Sequence, residues 1–410
     1  MKYLFFFCAV VSFTAYASQQ YLYTASPDDF DALTRSCPAW VELGDKMLIL
    51  GDGPDMLIPS CGSKQQVEAP LYLAMSKDRP VADYLSSAKI YAAYRCFAVF
   101  SADPSALQDI LRTQSYLFRV QALEFGQTVV TRRAVRSQEK ADPEIQAVLD
   151  GINKDIVRDT LQKLVDYATR HTFSTKAGTI ANDMRAAFEA LGYKSEVVEF
   201  TSSGRTGYSI IARKPGTGQK KILVTAHLDS TSSGDAARLA PGADDNGSGS
   251  AGVLTIARAV RDMKLNQNVE FILFMGEEQG LLGSRAYVAK LAEDGAIAGV
   301  LNMDMIGYYG NDPDTVMLES LRFADPLVQE LKASAEQYAG MKTEISYNAW
   351  GSDHEPFLSR NIPAVLTIEN EWDSNPGYHN PKDTMENIRP DFMLKLIKIN
   401  LATLLKLDQK

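Results

Sequence analysis

The feature that most restricts the fold is a regular alternation of extended apolar segments with helical segments in the last two thirds of the chain. Continuous apolar strands that alternate with helices are typical of a parallel sheet covered on both faces. We therefore predict an α/β fold with a mostly parallel central sheet flanked by helices. The predicted strands are residues 195–201, 208–214, 222–226, 269–275 and 298–303, and the predicted helices are residues 145–165, 180–191, 248–262 and 281–292.

The first third of the chain has a different character and ends in a polar, basic stretch. Residues 18 to about 130 hold short mixed segments without a cluster of catalytic residue types, and residues 131–140 (TRRAVRSQEK) follow. Pro143 then favours the start of a helix. We predict a smaller α+β, pro-region-like domain with its basic linker at residues 18–140, and a catalytic domain at residues 141–410. The N-terminal domain is interpreted as a folding aid or inhibitory cover, and the linker as a processing site or an uncut connection.

The first seventeen residues have the pattern of a secretory signal peptide. One lysine precedes an apolar stretch over residues 3–16, and the segment ends in Ala15-Tyr16-Ala17. We predict cleavage after Ala17, and hence a secreted or periplasmic protein. No later apolar stretch approaches the roughly 20 residues that a membrane span needs, so we expect no membrane anchor.

The charge of the chain excludes some classes of partner. The formal net charge is -9 at pH 7, which argues against nucleic acids and anionic membranes. We expect a monomer.

Three cysteines remain after the predicted cleavage, namely Cys37, Cys61 and Cys96. An exported protein permits one disulfide bond among them, which would leave one thiol unpaired. Three buried thiols are an equal alternative, and the sequence leaves both open.

Polar residues follow three of the predicted strands at the points where the strands end. His227 and Asp229 follow one strand, Glu277 and Glu278 follow another, and Asp304 follows a third. Because ligands of open α/β sheets bind outside the carboxyl ends of the strands, we expect these side chains to converge. Asp304 lies within apolar sequence, where an unpaired carboxylate is costly, so it requires a cation.

Zinc is the cation that suits these residue types. Imidazole nitrogen and carboxylate oxygen both bind it, and catalytic zinc sites keep a position open for water. Two zinc ions can share a bridging carboxylate and a bridging water, which lowers the pKa of that water and generates hydroxide near neutral pH. Such a site requires about five ligands and a free base, and the sequence offers enough histidines and acids for both.

Six segments, in their order, spacing and flanking glycines, resemble the secreted bacterial leucyl aminopeptidase family of co-catalytic dizinc exopeptidases. The resemblance extends over roughly residues 145–410. The segments are residues 224–230 (VTAHLDS), 241–249 (PGADDNGSG), 274–284 (FMGEEQGLLGS), 302–307 (NMDMIG), 352–354 (SDH) and 378–379 (YH).

This resemblance implies two Zn²⁺ ions per chain and assigns five ligands. Asp244 would bridge both ions. His227 and Asp304 would complete the first zinc site, and Glu278 and His379 the second.

The resemblance also implies roles for residues beside the ligands. Asp229 would hydrogen-bond the ring of His227 and fix its orientation. Glu277 would be the general base and then the general acid, and the peptide bond between Asp244 and Asp245 would be cis. Tyr378 would either polarise the scissile carbonyl or pack beside the metals.

The substrates implied are peptides with a free N-terminal amine and a leucine-like, hydrophobic first residue. His354 is expected near the substrate pocket, and His171 is expected to be structural. The cysteine that some relatives carry before the SDH segment is absent from residues 347–351, so Trp350 is expected to shape the pocket rim.

Three other functions are compatible with a similar fold. A glutaminyl cyclase would keep several of these ligands but use a single zinc. A carboxypeptidase would need a basic residue for the substrate carboxylate, and no such residue can be assigned. A non-catalytic peptidase-like domain would have lost ligands or the base, whereas this sequence keeps the full set, which favours the aminopeptidase.

Overall fold

The computed structural model describes most of the chain, apart from the N-terminus and several short segments. The predicted signal peptide, residues 133–139 of the basic linker and Cys61 lie outside the described residues. The described residues are 20–26, 30, 33–34, 37, 39–52, 63–67, 70–77, 80–115, 118–132, 140–291 and 297–410.

Seventeen strands are present in the described ranges. They are β1 (Gln20–Ala25), β2 (Trp40–Gly44), β3 (Lys46–Asp52), β4 (Ser63–Gln66), β5 (Tyr72–Ser76), β6 (Lys89–Tyr94), β7 (Phe97–Ser101), β8 (Phe118–Ala122), β9 (Gln127–Thr131), β10 (Lys194–Ser202), β11 (Arg205–Lys214), β12 (Lys221–His227), β13 (Asn268–Phe274), β14 (Ile297–Met303), β15 (Thr315–Glu319), β16 (Lys342–Ser346) and β17 (Ala364–Glu369).

Nine α-helices accompany these strands in the described part of the chain. None of the helices described is long and apolar enough to cross a membrane. The helices are α1 (Pro104–Arg112), α2 (Pro143–Asp150), α3 (Lys154–Val165), α4 (Ala177–Ala190), α5 (Gly249–Val260), α6 (Leu282–Lys290), α7 (Asp325–Ser334), α8 (Glu355–Leu358) and α9 (Pro390–Asp408).

The catalytic half of the main sheet has the strand order β10-β11-β13-β12-β14-β17-β15-β16. The central strands β13, β12, β14 and β17 are parallel to their neighbours in this group. Antiparallel pairs join β10 to β11, β11 to β13 and β15 to β17, so the whole sheet is mixed. The predicted α/β fold is confirmed, and its parallel character is concentrated in the centre.

Apolar side chains on both faces of the sheet explain why these strands are buried. In β12, Ile222 and Val224 pack into the cluster that includes Leu161 of α3 and Ile256 of α5. Leu223 points to the opposite face, as strand geometry requires, and joins the cluster of α6 and α8. Helices therefore cover the sheet on both faces.

The first predicted helix of the catalytic domain is wrong in one respect, because residues 145–165 form two helices. Helix α2 ends before Gly151. The side chain of Asn153 accepts a hydrogen bond from the backbone N–H of Ile156 and caps a new helix, α3. An N-terminal cap of this kind satisfies a backbone donor that would otherwise lack a partner.

The N-terminal region extends the main sheet. Strand β9 pairs antiparallel with β16, and β2, β3, β1 and β4 continue the same sheet outward. Strands β6, β7, β5 and β8 form a separate antiparallel sheet. One hydrophobic cluster contains Val41 and Leu73 from the N-terminal region together with Met317, Leu366 and Trp372 from the catalytic domain. The two regions therefore share a core.

A buried acid also joins the two regions. Glu344 of β16 is fully buried and accepts a hydrogen bond of 2.7 Å from the hydroxyl of Tyr94. The guanidinium nitrogens of Arg95 and Arg132 lie 3.4 and 3.2 Å from its carboxylate oxygens. Removing one partner of a buried charge is costly, so this network ties the N-terminal region to the sheet.

The two cysteines that lie in the described residues, Cys37 and Cys96, are buried free thiols. Burial raises the pKa of both thiols, which disfavours the reactive thiolate. They are not joined to each other.

Candidate metal centre

Three adjacent strands bring the predicted site residues to one edge of the sheet. His227 is the last residue of β12, and Asp304 directly follows β14. Glu277 and Glu278 follow the end of β13. Because β13, β12 and β14 are neighbours and parallel, these residues converge as the sequence predicted.

Two histidines and three carboxylates lie in direct contact at this edge. Nε2 of His227 is 3.1 Å from Oδ1 of Asp304 and 3.3 Å from Oδ1 of Asp245. Nε2 of His379 is 3.0 Å from Oε2 of Glu278 and 3.3 Å from Oδ2 of Asp245. The carboxylate of Asp245 therefore lies between the two imidazoles.

The prediction that Asp244 occupies the bridging position is wrong by one residue. Oδ1 of Asp244 accepts a hydrogen bond of 2.7 Å from the backbone N–H of Gly307. Its Oδ2 accepts one of 2.7 Å from the side-chain amide of Asn375. The cis peptide bond likewise lies between Asp245 and Asn246, not between Asp244 and Asp245. Adjacent side chains point in different directions here, and Asp245 is the one that faces the histidines.

Asp383 holds the aspartate pair in place and was missed by the sequence analysis. Its carboxylate accepts hydrogen bonds of 2.9 Å from the backbone N–H groups of Asp244 and Asp245. Asp383 lies four residues after His379 in a polar segment that resembles an ordinary turn, so no sequence pattern distinguishes it.

Arg170 fixes the loops that flank the aspartate pair. Its buried guanidinium donates to the carbonyl oxygens of Leu228, Pro241 and Gly242 at 2.8, 2.6 and 2.7 Å. Burial lowers the pKa of Arg170 to about 10, although nearby carboxylates oppose this effect. Gly242 has φ +54°, and a Cβ there would lie 2.9 Å from Nη2 of Arg170, so glycine permits the close approach.

Asp229 lies beside the ring of His227, whose hydrogen-bond partner the resemblance implies it to be. Its Oδ1 is 3.5 Å from Nδ1 of His227, which also lies 3.1 Å from the Asp229 carbonyl oxygen. The same carboxylate accepts hydrogen bonds of 3.3 Å from the backbone N–H groups of Glu277 and Glu278. Asp229 therefore orients both the imidazole and the glutamate loop.

The electrostatics of the cluster depend on burial and on the balance of charges. Burial and the negative charge of Asp245 together raise the pKa of Glu278 to about 7, against the opposing charge of His379. Burial also disfavours the charge of Asp245, but hydrogen bonds from His227 and His379 outweigh this and hold the pKa of Asp245 below its usual range. Crowded buried carboxylates are stabilised by a cation among them.

Glu277 is buried beside the cluster. Burial raises its pKa well above the usual range, and the negative charges of Glu278 and Asp304 act in the same direction against the opposing charge of His227. A carboxyl group with a raised pKa suits proton transfer near neutral pH.

The donor atoms fit a metal ion. One ligand atom from each of His227, Asp245 and Glu278 lies within 4.8 Å of the others. Oε1 of Glu278 is buried and has no hydrogen-bond partner among the described residues, so it is available to a cation. Imidazole nitrogen with carboxylate oxygen is a donor set that zinc prefers.

Tyr378, His354 and His171 are the remaining residues that the sequence analysis discussed, and each has different contacts. The ring of Tyr378 stacks on that of His379 at 4.0 Å and contacts Trp372 edge-on. His354 is fully buried, with Nε2 3.4 Å from Glu319, and is not among the converging side chains. His171 accepts a hydrogen bond from the Phe173 backbone and is half-buried.

Ser352 is a second residue that the sequence analysis did not assign. Its hydroxyl donates a hydrogen bond of 2.7 Å to Oδ2 of Asp304 and accepts one of 3.0 Å from the side chain of Asn302. These contacts leave Oδ1 of Asp304 facing His227. The SDH segment thus reaches the site through its serine.

An α/β sheet with histidines and carboxylates gathered at the carboxyl ends of its strands is an arrangement that suits a metal-dependent hydrolase. The model of peptidase family M28 matches residues 209–404. The chain belongs to peptidase family M28, and the predicted enzyme class, a zinc-dependent aminopeptidase, is confirmed.

Relatives with known sequences support the family assignment. A probable leucine aminopeptidase of Trichophyton verrucosum is 31% identical over 279 residues, which cover 64% of this chain and 75% of the relative. Leupeptin-inactivating enzyme 1 of Streptomyces exfoliatus is 34% identical over 228 residues, covering 50% of this chain and 49% of that protein. Both fungal and bacterial proteins are therefore similar to this chain.

Solved structures share the fold. The LapA aminopeptidase of Legionella pneumophila has a TM-score of 0.61 at 22% identity, covering 83% of this chain and 98% of that chain. A zinc aminopeptidase of Bacillus subtilis, BSAP, has a TM-score of 0.56 at 17% identity, covering 62% of this chain and 95% of that chain. The LapA coverage is larger than the catalytic domain alone, so the likeness in fold extends into the N-terminal region.

Proposed function

We propose that this chain is an exported aminopeptidase that uses two zinc ions to hydrolyse the first peptide bond of its substrates. The observation that carries the proposal is the position of Asp245. Its two oxygens each lie 3.3 Å from the Nε2 atom of a different histidine, as a carboxylate that bridges two metal ions requires.

Five residues would hold the metals. His227 and Asp304 would bind one zinc, His379 and Glu278 the other, and Asp245 both. When bound, zinc would polarise the scissile carbonyl and lower the pKa of a water molecule. Asp229 would keep the ring of His227 oriented for this task.

Glu277 would transfer the proton. It is buried and lines the same cleft as His227, Asp245 and Asp304. It would accept a proton from the attacking water and then deliver it to the leaving amine, which is how general acid-base groups act in hydrolysis.

The lining of the cleft suggests which first side chain of a peptide binds there. Met305, Ile368, Trp372 and Tyr378 form an apolar lining beside the metal cluster. Such a lining favours a hydrophobic, leucine-like first residue. Tyr378 would either support the scissile carbonyl or only shape this lining.

A panel of aminoacyl anilides tests the proposal, with amine-acetylated counterparts as the control. We expect hydrolysis of the leucine substrate and refusal of its blocked form. Equal cleavage of free and blocked substrates would overturn the aminopeptidase proposal. Cyclisation of an N-terminal glutamine without hydrolysis would instead support the cyclase.

Export and a monomeric state belong to the same proposal. The apolar segment that ends at Ala17 supports cleavage there, so the exported protein should begin at Ser18. N-terminal sequencing and sedimentation analysis of the exported form test both expectations, and a retained Met1 would contradict the first.

A further inference from the structure

Of its described residues, the N-terminal region contributes one, Lys77, to the catalytic cleft. Strand β5 of the separate sheet ends at Ser76, and the next residue, Lys77, lines the same cleft as the metal cluster. The other lining residues are His227, Asp245, Glu277, Asp304, Met305, Gly351, Ile368, Trp372, Tyr378 and His379. Among the described residues, and outside the histidines, Lys77 is the cationic residue in this lining.

Several contacts fix the position of the Lys77 ammonium. Nζ donates a hydrogen bond of 2.7 Å to the carbonyl oxygen of Trp350 and lies 3.9 Å from Oε1 of Glu319. The ammonium is 5.4 Å from the ring centre of Trp350 and 5.7 Å from that of Trp372, within the range of cation–π attraction. The side chain is 8% exposed, so it does not sample solvent freely.

Gly351 makes room for the lysine. Its φ is +66°, a conformation that favours glycine. A Cβ at this position would lie 2.8 Å from Cδ of Lys77, closer than real carbon atoms approach. The backbone of the SDH loop is therefore shaped to accept the aliphatic stem of Lys77.

The charge that faces the cleft at this end is positive. Glu319 pairs with Lys77 but is not part of the cleft lining, and its carboxylate also accepts a hydrogen bond from the backbone N–H of Trp350. His354 lies on the far side of Glu319, 3.4 Å from the same oxygen. Of this ion pair, Lys77 is therefore the member that a substrate side chain in the cleft would contact.

We propose that Lys77 is a specificity-determining residue that excludes cationic first side chains from the substrate cleft. The inference rests on the proposed aminopeptidase function and assigns part of its substrate choice to the N-terminal region. Like charges brought together in a poorly hydrated site are strongly disfavoured, and specificity is often achieved through such repulsion.

The test compares two substrates of similar length that differ in charge, methionine anilide and lysine anilide. In the wild-type protein, we expect kcat/KM for the lysine substrate to be lower by about tenfold or more. Free lysine should likewise inhibit more weakly than free methionine, with a higher inhibition constant. Equal kcat/KM values for the two substrates in the wild-type protein would overturn the proposal without any variant.

Three variants assign the effect to Lys77. Lys77→Met should raise the lysine-to-methionine ratio of kcat/KM by about tenfold, because the ammonium is gone and Glu319 can pair with the substrate. Lys77→Arg should keep the ratio low. Lys89→Met is the matched control, because Lys89 also carries its ammonium over an aromatic ring of the same sheet but does not line the cleft.

A double variant covers the case in which Lys77→Met leaves buried Glu319 unpaired and fails to fold. Lys77→Met combined with Glu319→Gln removes both charges at similar size, and the ratio should again rise. An unchanged ratio in a folded Lys77 variant would refute the proposal. Failure of the proposed function is distinct, because the wild-type protein would then either cleave none of the aminoacyl substrates or cleave their amine-acetylated forms equally well.

Discussion

Asp244 and Asp245 are neighbours in the chain, yet their carboxylates have different partners. Asp245 faces the Nε2 atoms of two histidines at 3.3 Å each. Asp244 accepts hydrogen bonds from the Gly307 backbone and the Asn375 side chain. The pair therefore divides into one residue that can bind metal and one that holds the surrounding loops.

The first prediction separates these two aspartates. Asp245→Asn should reduce the zinc content and abolish most activity, because the amide cannot bridge two cations as a carboxylate does. Asp244→Asn should keep both zinc ions, since an amide oxygen can still accept the Gly307 hydrogen bond. Zinc per chain after dialysis measures the difference, and loss of metal from the Asp244 variant alone would restore the original assignment.

The strands and the residues at their ends were predictable from local sequence patterns. The strands were predictable because runs such as residues 222–226 are apolar and lie between helices. The ends of those strands located His227 and Asp304 correctly. The choice between Asp244 and Asp245 was not predictable, because it depends on hydrogen bonds that their backbone N–H groups donate to Asp383, more than a hundred residues away.

Contacts between distant parts of the chain were beyond the sequence for the same reason. Lys77 and Trp350 are 273 residues apart and meet only because the N-terminal sheet packs beside the cleft. The capping contact of Asn153, by contrast, is local. The sequence of residues 151–156 therefore contains the signal that a new helix begins there.

The second prediction distinguishes the adjacent glutamates. Glu277→Gln keeps size but removes the proton acceptor, so kcat should fall by about 10²–10⁴-fold while two zinc ions remain bound. Glu278→Ala should lower the zinc content and the stability, because metal-binding energy contributes to folding. Zinc content per chain and kcat, measured for both variants, show which glutamate binds zinc and which transfers the proton. Metal loss in Glu277→Gln with full zinc in Glu278→Ala would reverse the two roles.

The third prediction concerns removal of the metal. A chelator should abolish activity and lower the temperature of unfolding, because metal bound to the folded state stabilises it by mass action. Zinc titrated back should restore activity in proportion to occupancy and saturate at two ions per chain. Saturation at one ion with full activity would contradict the two-zinc proposal.

The fourth prediction tests whether the N-terminal region can be removed. A fragment of residues 137–410 would expose Met317, Leu366 and Trp372, which share a core with the N-terminal strands, and would leave Glu344 without Tyr94 and Arg95. We expect the fragment to be less stable than the full chain and poorly active even with zinc. A stable, fully active fragment would support the interpretation of residues 18–140 as a removable pro-region.

The last prediction uses an ion pair between the two regions. Arg119 of β8 lies 3.0 Å from the carboxylate of Glu355, which begins α8 beside the SDH loop. Burial disfavours the charge of Glu355, but the positive charge of Arg119 outweighs it and holds the pKa of Glu355 below its ordinary value of 4.5. A carboxyl group with a depressed folded-state pKa stabilises the protein above its unfolded pKa, and this contribution is lost as the pH falls through the folded value.

Arg119→Met removes the favourable charge and leaves the effect of burial, so the pKa of Glu355 should rise. The wild-type protein should therefore gain more unfolding free energy than the variant as the pH increases from the acid side through 4.5. Denaturant unfolding at a series of pH values measures this difference, in which the other titrating groups largely cancel. Arg112→Met is the matched control, because the Arg112–Asp109 pair has both side chains 72% exposed and such pairs contribute little. Parallel pH curves for the wild type and Arg119→Met would show that this ion pair does not connect the regions energetically.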